Sequence, residues 1–463
     1  MAKWGYAKKP LYVLSAVALI DQIDASIIRG VLPYIQKEFR LSDFALGSLA
    51  SAFVFVNAIA TIPAGWVADR YKRTTIVGWT MLSWSALSGL SALAFNFPSL
   101  FLSRAALGIG QAVDDPSSTS LLSDYYPAQM RGRVFSWQQV SVFLGGAIGI
   151  GVGGFVGAQF GWRWAFALVG MPGSAIAYFC FRLQEPARGL LEGAAKLPAA
   201  GTIEGLAAAT ATPVVEARAD GPTAGMSIAD FTREAARSLV AEMKMIFGIR
   251  TMRYVLIGVG ILLFTVSGVG SWLTIYHDRY SGMSPGEAAG LTAVTLGLSG
   301  IIGTLWGGQF ADKLHAGGPI GRIRLVSNAI LVCAVTFFLS LMVPIVPLRI
   351  ALQFAGVLAI ASAFPALRAS MMDVVPAESR GVSASAFALV STVFGTALAP
   401  PLIGLISDLS GSLVAAFYLV TPPILVGSLI LRRAQHTIVE DAQAIITKMM
   451  ERQQASSTPS SPT

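Results

Sequence analysis

The stretch LGSLASAFVFVNAIATIPAGWVADRYKR, Leu46–Arg73, decides how the rest of the chain is read. From Leu46 to Ala64 it carries no charge, and a run of about 20 apolar residues is what a helix needs to cross a bilayer. Charge then arrives all at once, as Asp69, Arg70, Lys72 and Arg73, with Gly65 one helical turn before the aspartate. A weaker copy, GGQFADKLH (Gly307–His315), follows another apolar run and places Asp312 and Lys313 in the same order.

The whole chain repeats this alternation. It has 463 residues, of which 54% are hydrophobic and 13% charged, and its mean hydropathy is +0.64. A soluble domain carries about 25% charged residues. The charges that remain gather in short islands between apolar runs, which is the pattern of an all-α membrane protein. The 47 glycines suit it, since small residues let membrane helices approach closely.

Twelve spans are expected, near 11–35, 46–67, 75–95, 99–124, 133–157, 163–182, 253–276, 288–311, 323–343, 348–372, 381–405 and 413–432. They form two six-helix bundles, 1–182 and 251–433. A connector, 183–250, begins rich in Ala, Gly, Pro and Thr and ends in an amphipathic helix near 227–247. With Ser227 as its N-cap, that helix is expected to lie on the cytoplasmic membrane surface. The tail, 434–463, ends in ASSTPSSPT and is expected to be partly disordered.

The net charge of +8 does not point to nucleic acid, because the cations sit at span ends. Lys3, Lys8 and Lys9 precede the first span, Arg131 and Arg133 follow the fourth, and Arg432 and Arg433 close the last. The intervening loops NFPS and SDLSGS have no cation. By the positive-inside rule both termini are cytoplasmic. Cys180 and Cys333 lie within apolar runs and read as small buried hydrophobes. The first apolar segment is too long for a signal-peptide core. Three histidines without clustered partners make no metal site. No P-loop and no nucleophile–base motif is present, so the chain reads as neither an ATP-driven pump nor an enzyme.

The halves echo each other. SDYYPAQMRGR (Ser123–Arg133) has its counterpart in MDVVPAESRGV (Met372–Val382), so that Asp124 and Arg131 correspond to Asp373 and Arg380. Internal repeats of this kind mark secondary transporters. Asp69, Arg70, Arg73, Asp124, Arg131, Asp312, Lys313, Asp373 and Arg380, with Gly65 allowing close approach, are therefore candidates for a cytoplasmic gate. Its Arg73–Asp124 pair would hold helix ends together and release them on breaking.

Charges inside the spans form a second set: Asp21, Asp24 and Arg29 in the first, Arg104, Asp114 and Asp115 in the fourth. A charge at the bilayer centre costs about 2.5–3.5 kcal/mol, so such residues are functional candidates by default.

G-x-x-x-D-R-x-x-R after the second span resembles the signature loop of the major facilitator superfamily. Within it the chain is most similar to the spinster-like branch of lipid transporters. GWVADRYKR resembles that branch's G-Y-L-G-D-R-Y-N-R, DASIIRGVLP keeps Asp24, Gly30 and Pro33 of its first-span motif, and GIGQA, GWRWAF and EPARG resemble three more of its motifs. Two charged positions differ. The branch's arginine after the aspartate is Ala25 and its fourth-span glutamate is Gln111, yet Arg29 and Asp115 stand one helical turn beyond them, with Asp114 alongside.

The resemblance implies a twelve-helix, alternating-access secondary transporter whose first and fourth spans line the central cavity. It implies an amphipathic substrate such as a lysophospholipid. No cofactor is expected beyond a proton gradient, carried by Asp24 with Asp21 sharing the proton. Arg29, Arg104, Gln111, Asp114 and Asp115 are the expected cavity residues. Two other readings stand: a symporter or exporter of small organic anions or drugs, with Arg29 and Arg104 as clamps, and a non-transporting receptor of the same fold. The chain is expected to be a monomer among membrane lipids, in the plasma (inner) membrane of a bacterium.

Overall fold

The computed structural model describes residues 8–126, 128–186, 227–315, 319–373 and 391–441, together with Gln443 and Thr447. Six long helices come first: α1 Lys9–Phe39, α2 Asp43–Arg70, α3 Arg73–Ala92, α4 Phe97–Tyr125, α5 Ala128–Gln159 and α6 Trp162–Phe181. Then follow α7 Ile228–Gly248 and α8 Arg250–Tyr280. Next, α9 Pro285–Ala293 runs through a π turn, Val294–Leu298, into α10 Ser299–His315. After α11 Pro319–Met342 and α12 Val346–Asp373, a π segment, Ser391–Ala397, leads into α13 Ala399–Ser410. The described chain closes with α14 Leu413–Val420 and α15 Pro422–Arg433.

Each expected span falls on helical chain, the eighth on α9 and α10, the eleventh described from Ser391 onward, and the twelfth on α14 and α15. Among the described residues ten helical stretches are long and apolar enough to cross a membrane. The two remaining spans, α3 and α4, are more polar for one reason: α4 carries charge, and α3 supplies hydroxyls that meet it. The helix starts follow from local chemistry. Ser42 caps α2 by accepting from the Ala45 N–H, Asn96 and Ser99 form a capping box on α4, and Ser284 with Glu287 does the same for α9.

Contacts divide the chain into Met1–Ala236 with Trp272–Gly297, and Arg237–Ser271 with Leu298–Thr463. In the first unit α1 lies along α5 on a stripe of glycines. Cβ atoms added at Gly145, Gly149 and Gly153 would stand 2.5, 2.4 and 2.7 Å from the carbonyl oxygens of Leu19, Ile23 and Ile27. The i, i+4 spacing puts all three on one face, so the two backbones touch. The start of α1 is tied to the end of α4, where the Leu11 N–H donates to the Tyr126 hydroxyl at 3.2 Å. In the second unit the repeat glycine works in the same way: a Cβ on Gly307 would meet the Ser362 carbonyl at 2.1 Å, which brings α10 against α12.

Large apolar side chains face outward in both units: Trp79 is 62% exposed, Phe155 64% and Leu419 62%. In water such a surface is an aggregation hazard; in a bilayer it meets lipid tails. The chain is a multi-pass membrane protein.

Candidate functional site

Asp24 on α1 faces α3 and α4. Its Oδ1 accepts from Ser88 Oγ at 2.5 Å, and its Oδ2 lies 3.4 Å from Arg104 Nη1. The arginine is held on every side. Its Nε and Nη2 donate to Ser91 Oγ at 3.1 and 2.9 Å, Nη2 also reaches Ser88 Oγ at 3.3 Å, and the guanidinium lies 4.4 Å over the Phe166 ring. Both charged groups are buried, Asp24 at 7% exposure and Arg104 at 3%. A desolvated pair persists only when its remaining donors and lone pairs are also satisfied, as these are.

Asp21, one turn earlier on α1, is buried as well but has a neutral partner. Gln111 Nε2 donates to its Oδ2 at 3.0 Å, and Gln111 Oε1 in turn accepts from Asn57 Nδ2 of α2 at 3.3 Å. Among the described residues it forms no ion pair. Asp114 is buried and accepts from Ser118 Oγ at 3.3 Å, while Asp115 beside it is exposed.

From the sequence, Arg29 is expected to be offset from the α1 carboxylates but within reach of Asp21's side. The structure instead gives Asp24 to Arg104, from a different helix. Arg29 is half-buried, and among the described residues it makes no hydrogen bond and no ion pair.

At the α3 start, Arg73 gathers a second cluster. Its Nη1 donates to Asp124 Oδ2 at 2.5 Å and Ser120 Oγ at 2.7 Å, its Nε to Glu185 Oε1 at 2.8 Å, and its Nη2 to the Pro186 carbonyl at 3.0 Å. Burial alone would lower the guanidinium, but its hydrogen bonds to Asp124 and Glu185 prevail and raise it above its ordinary value. The second Glu185 oxygen accepts from the Thr74 N–H at 2.9 Å, a carboxylate at a helix N-terminus. The expected Arg73–Asp124 pair is thus formed, and Glu185 joins it. Gly65, Asp69 and Arg70 lie on α2, Arg131 on α5, Asp312 and Lys313 on α10, and Asp373 at the end of α12. Their side chains lie outside what the structure describes, as does Arg380 altogether.

Three groups of contributors escaped sequence reasoning. Ser88 and Ser91 carry a faint signal, two hydroxyls three apart on one face of α3. Glu185 stands in EPARG, quoted above for its likeness alone. Asp43 and Arg279 form a bidentate pair, Nη1–Oδ2 at 2.8 Å and Nη2–Oδ1 at 2.5 Å, with Gln36 bridging them at 2.9 and 3.0 Å. No spacing rule joins residues that far apart in sequence.

A membrane-embedded helical unit with a buried ion pair and further carboxylates inside its spans has the build of a solute transporter. Residues 14–394 match the Major Facilitator Superfamily, and the chain belongs to it. A hexuronate transporter of Bacillus subtilis (strain 168) is 29% identical over 184 residues, 39% of this chain and 44% of that protein. A probable L-galactonate transporter of Escherichia coli (strain K12) is 26% identical over 339 residues, 72% of this chain and 68% of that one. The matched stretch thus spans under half the length of the hexuronate transporter.

Among solved structures, a bacterial homolog of the human lysosomal transporter spinster, inward-facing and occupied, aligns with a TM-score of 0.70 at 20% identity. It covers 96% of this chain and 99% of that one, and shows a shared fold. Proteins named spinster also occur among the matched relatives, so the branch resemblance read from the motifs is met here again.

Proposed function

We propose that the protein is a secondary active transporter that moves a small organic anion, a carboxylate, by alternating access with protons. Arg29 carries this reading. Asp24 and Arg104 neutralise each other, which leaves Arg29 as a half-buried cation with no acid beside it among the described residues. An unpaired charge within a span costs about 2.5–3.5 kcal/mol even on lenient scales. A bound carboxylate offsets that cost through two charge-assisted hydrogen bonds from one guanidinium. The matched transporters named for L-galactonate and hexuronate handle substrates of that chemistry.

Asp21 is the proton carrier in this scheme. Asp24 is fixed by Arg104, whereas Asp21 has an amide for a partner and sits on the same helix as Arg29. An ionised Asp21 repels an incoming anion, and its protonation removes that repulsion, so proton and substrate enter together. We assign the cytoplasmic gate to the Arg73–Asp124–Glu185 cluster, and give Asp69, Arg131 and their second-half counterparts the same role from the repeated motif alone. We place both termini in the cytoplasm and the protein in a bacterial inner membrane, from the cation pattern.

A second reading, an amphipathic lipid such as a lysophospholipid, draws on the spinster likeness; the phosphate would then meet Arg29. Thermal unfolding of the purified protein separates the two. A ligand at 100 times its Kd stabilises by about 2.7 kcal/mol. Galactonate is expected to raise the melting temperature where the neutral polyol galactitol does not, and Arg29→Ala removes the shift. A shift with lysophosphatidylcholine alone overturns the anion reading. A galactonate shift without any flux in proteoliposomes supports a receptor instead.

A further inference from the structure

The second unit contains an apolar groove of about 410 Å³ that takes no part in the transport site. Phe247 of α7, Ile257, Gly260 and Phe264 of α8, Phe394 of the π segment and Leu419 of α14 line it. Three of these are well exposed, Ile257 at 47%, Phe394 and Leu419 each at 62%. The floor is open at Gly260, where an added Cβ would find no atom within 4 Å. Every lining residue is apolar, as a hydrocarbon chain requires.

Charge is arranged at one end of it. Arg250, Arg253, Ile257, Gly260 and Phe264 follow one another by three or four residues, so one face of α8 starts with two arginines and runs into the groove. From Arg253 to Gly260 the rise is about 10 Å. Both arginines are exposed, and among the described residues neither forms an ion pair. Helix α15 meets α8 where a Cβ on Gly427 would lie 3.1 Å from the Gly258 carbonyl, and it ends in two more exposed cations, Arg432 and Arg433. Of the neighbouring acids Glu440 and Asp441, Glu440 is exposed and Asp441 accepts from the Thr251 N–H at 2.8 Å, on the fully buried side of the helix.

We infer that this groove binds one anionic phospholipid, with an acyl chain over Gly260 and the phosphate against Arg250 and Arg253. The concave apolar wall holds the chain, and Arg250 and Arg253 select the headgroup. A lipid seated there packs against α7, α8 and α14 together.

Native mass spectrometry of the full-length protein, titrated with phosphatidylglycerol or phosphatidylcholine of the same chains, tests this. The wild type is expected to hold phosphatidylglycerol at least tenfold more tightly. The Arg250→Gln, Arg253→Gln double variant is expected to bind the two lipids alike. Gly260→Phe fills the groove and is expected to weaken both lipids about tenfold, with Leu419→Trp as a second narrowing variant should Gly260→Phe not fold. Equal affinity for the two lipids in the wild type overturns the headgroup assignment. Undiminished binding by a folded groove variant overturns the site.

Discussion

Arg104 donates to three acceptor side chains and lies over an aromatic ring, so at the residue scale its role is to hold α1, α3 and α4 together. Removing one member of a buried pair leaves the other unpaired and costs about 3–5 kcal/mol. Asp24→Asn is therefore expected to lower the melting temperature of the purified protein sharply, and adding Arg104→Gln is expected to recover part of the loss. A single variant as stable as the wild type would make Asp24 a loosely held carboxylate and return it to candidacy as the proton carrier. Asp21→Asn should differ: a stable protein that exchanges substrate across the membrane but cannot concentrate it.

The sequence showed which residues were exceptional here, because a charge inside an apolar run stands out by itself. It did not show their pairing. The i, i+3 and i, i+4 rules relate residues on one helix and are silent about a partner on another. Asp24 and Arg104 meet because the fold brings α1 and α4 within side-chain reach of each other, which no local rule contains. Glu185 was hidden in the same way: EPARG lies far along the chain from Arg73, and its role emerges only where α6 returns beside α3.

At the scale of elements, the glycine stripe on α5 sets how close α1 can come, and with it the position of Asp21, Asp24 and Arg29. Lipid tails are as apolar as leucine, so association of these helices rests on packing rather than on hydrophobic burial. Gly149→Leu would press a side chain against the Ile23 carbonyl, and overpacking of this kind costs about 1–3 kcal/mol. It is expected to reduce both thermal stability and transport. Gly89→Leu, on α3, meets open space and serves as the comparison; an equal loss there would mean that the stripe has no special part. The helices themselves were legible almost to their ends, since apolar length, Ser42, Asn96 and Ser284 caps and the cation islands agree. The π segments were not, as their residues read as ordinary helix.

For the whole molecule, the repeat of Asp124–Arg131 by Asp373–Arg380 and the twelve apolar runs make the architecture readable in the sequence. The proposed orientation rests on the same cations. Cys180 and Cys333 are both buried, so single introduced cysteines report cleanly. Ala199→Cys is expected to react with an impermeant maleimide from the cytoplasmic side alone, and Ser410→Cys from the opposite side alone. Reversed labelling would invert the protein and the gate assignment with it.

In the proposed cycle Arg29 receives an anion while Asp21 carries the proton that drives it. Its most direct test is uptake of radiolabelled galactonate into proteoliposomes under an imposed proton gradient. The wild type should accumulate the label above equilibrium. Asp21→Asn should reach equilibrium but not exceed it, and Arg29→Ala should take up at least tenfold less. Accumulation that is unchanged in both variants, or that proceeds equally well without the gradient, would contradict the account.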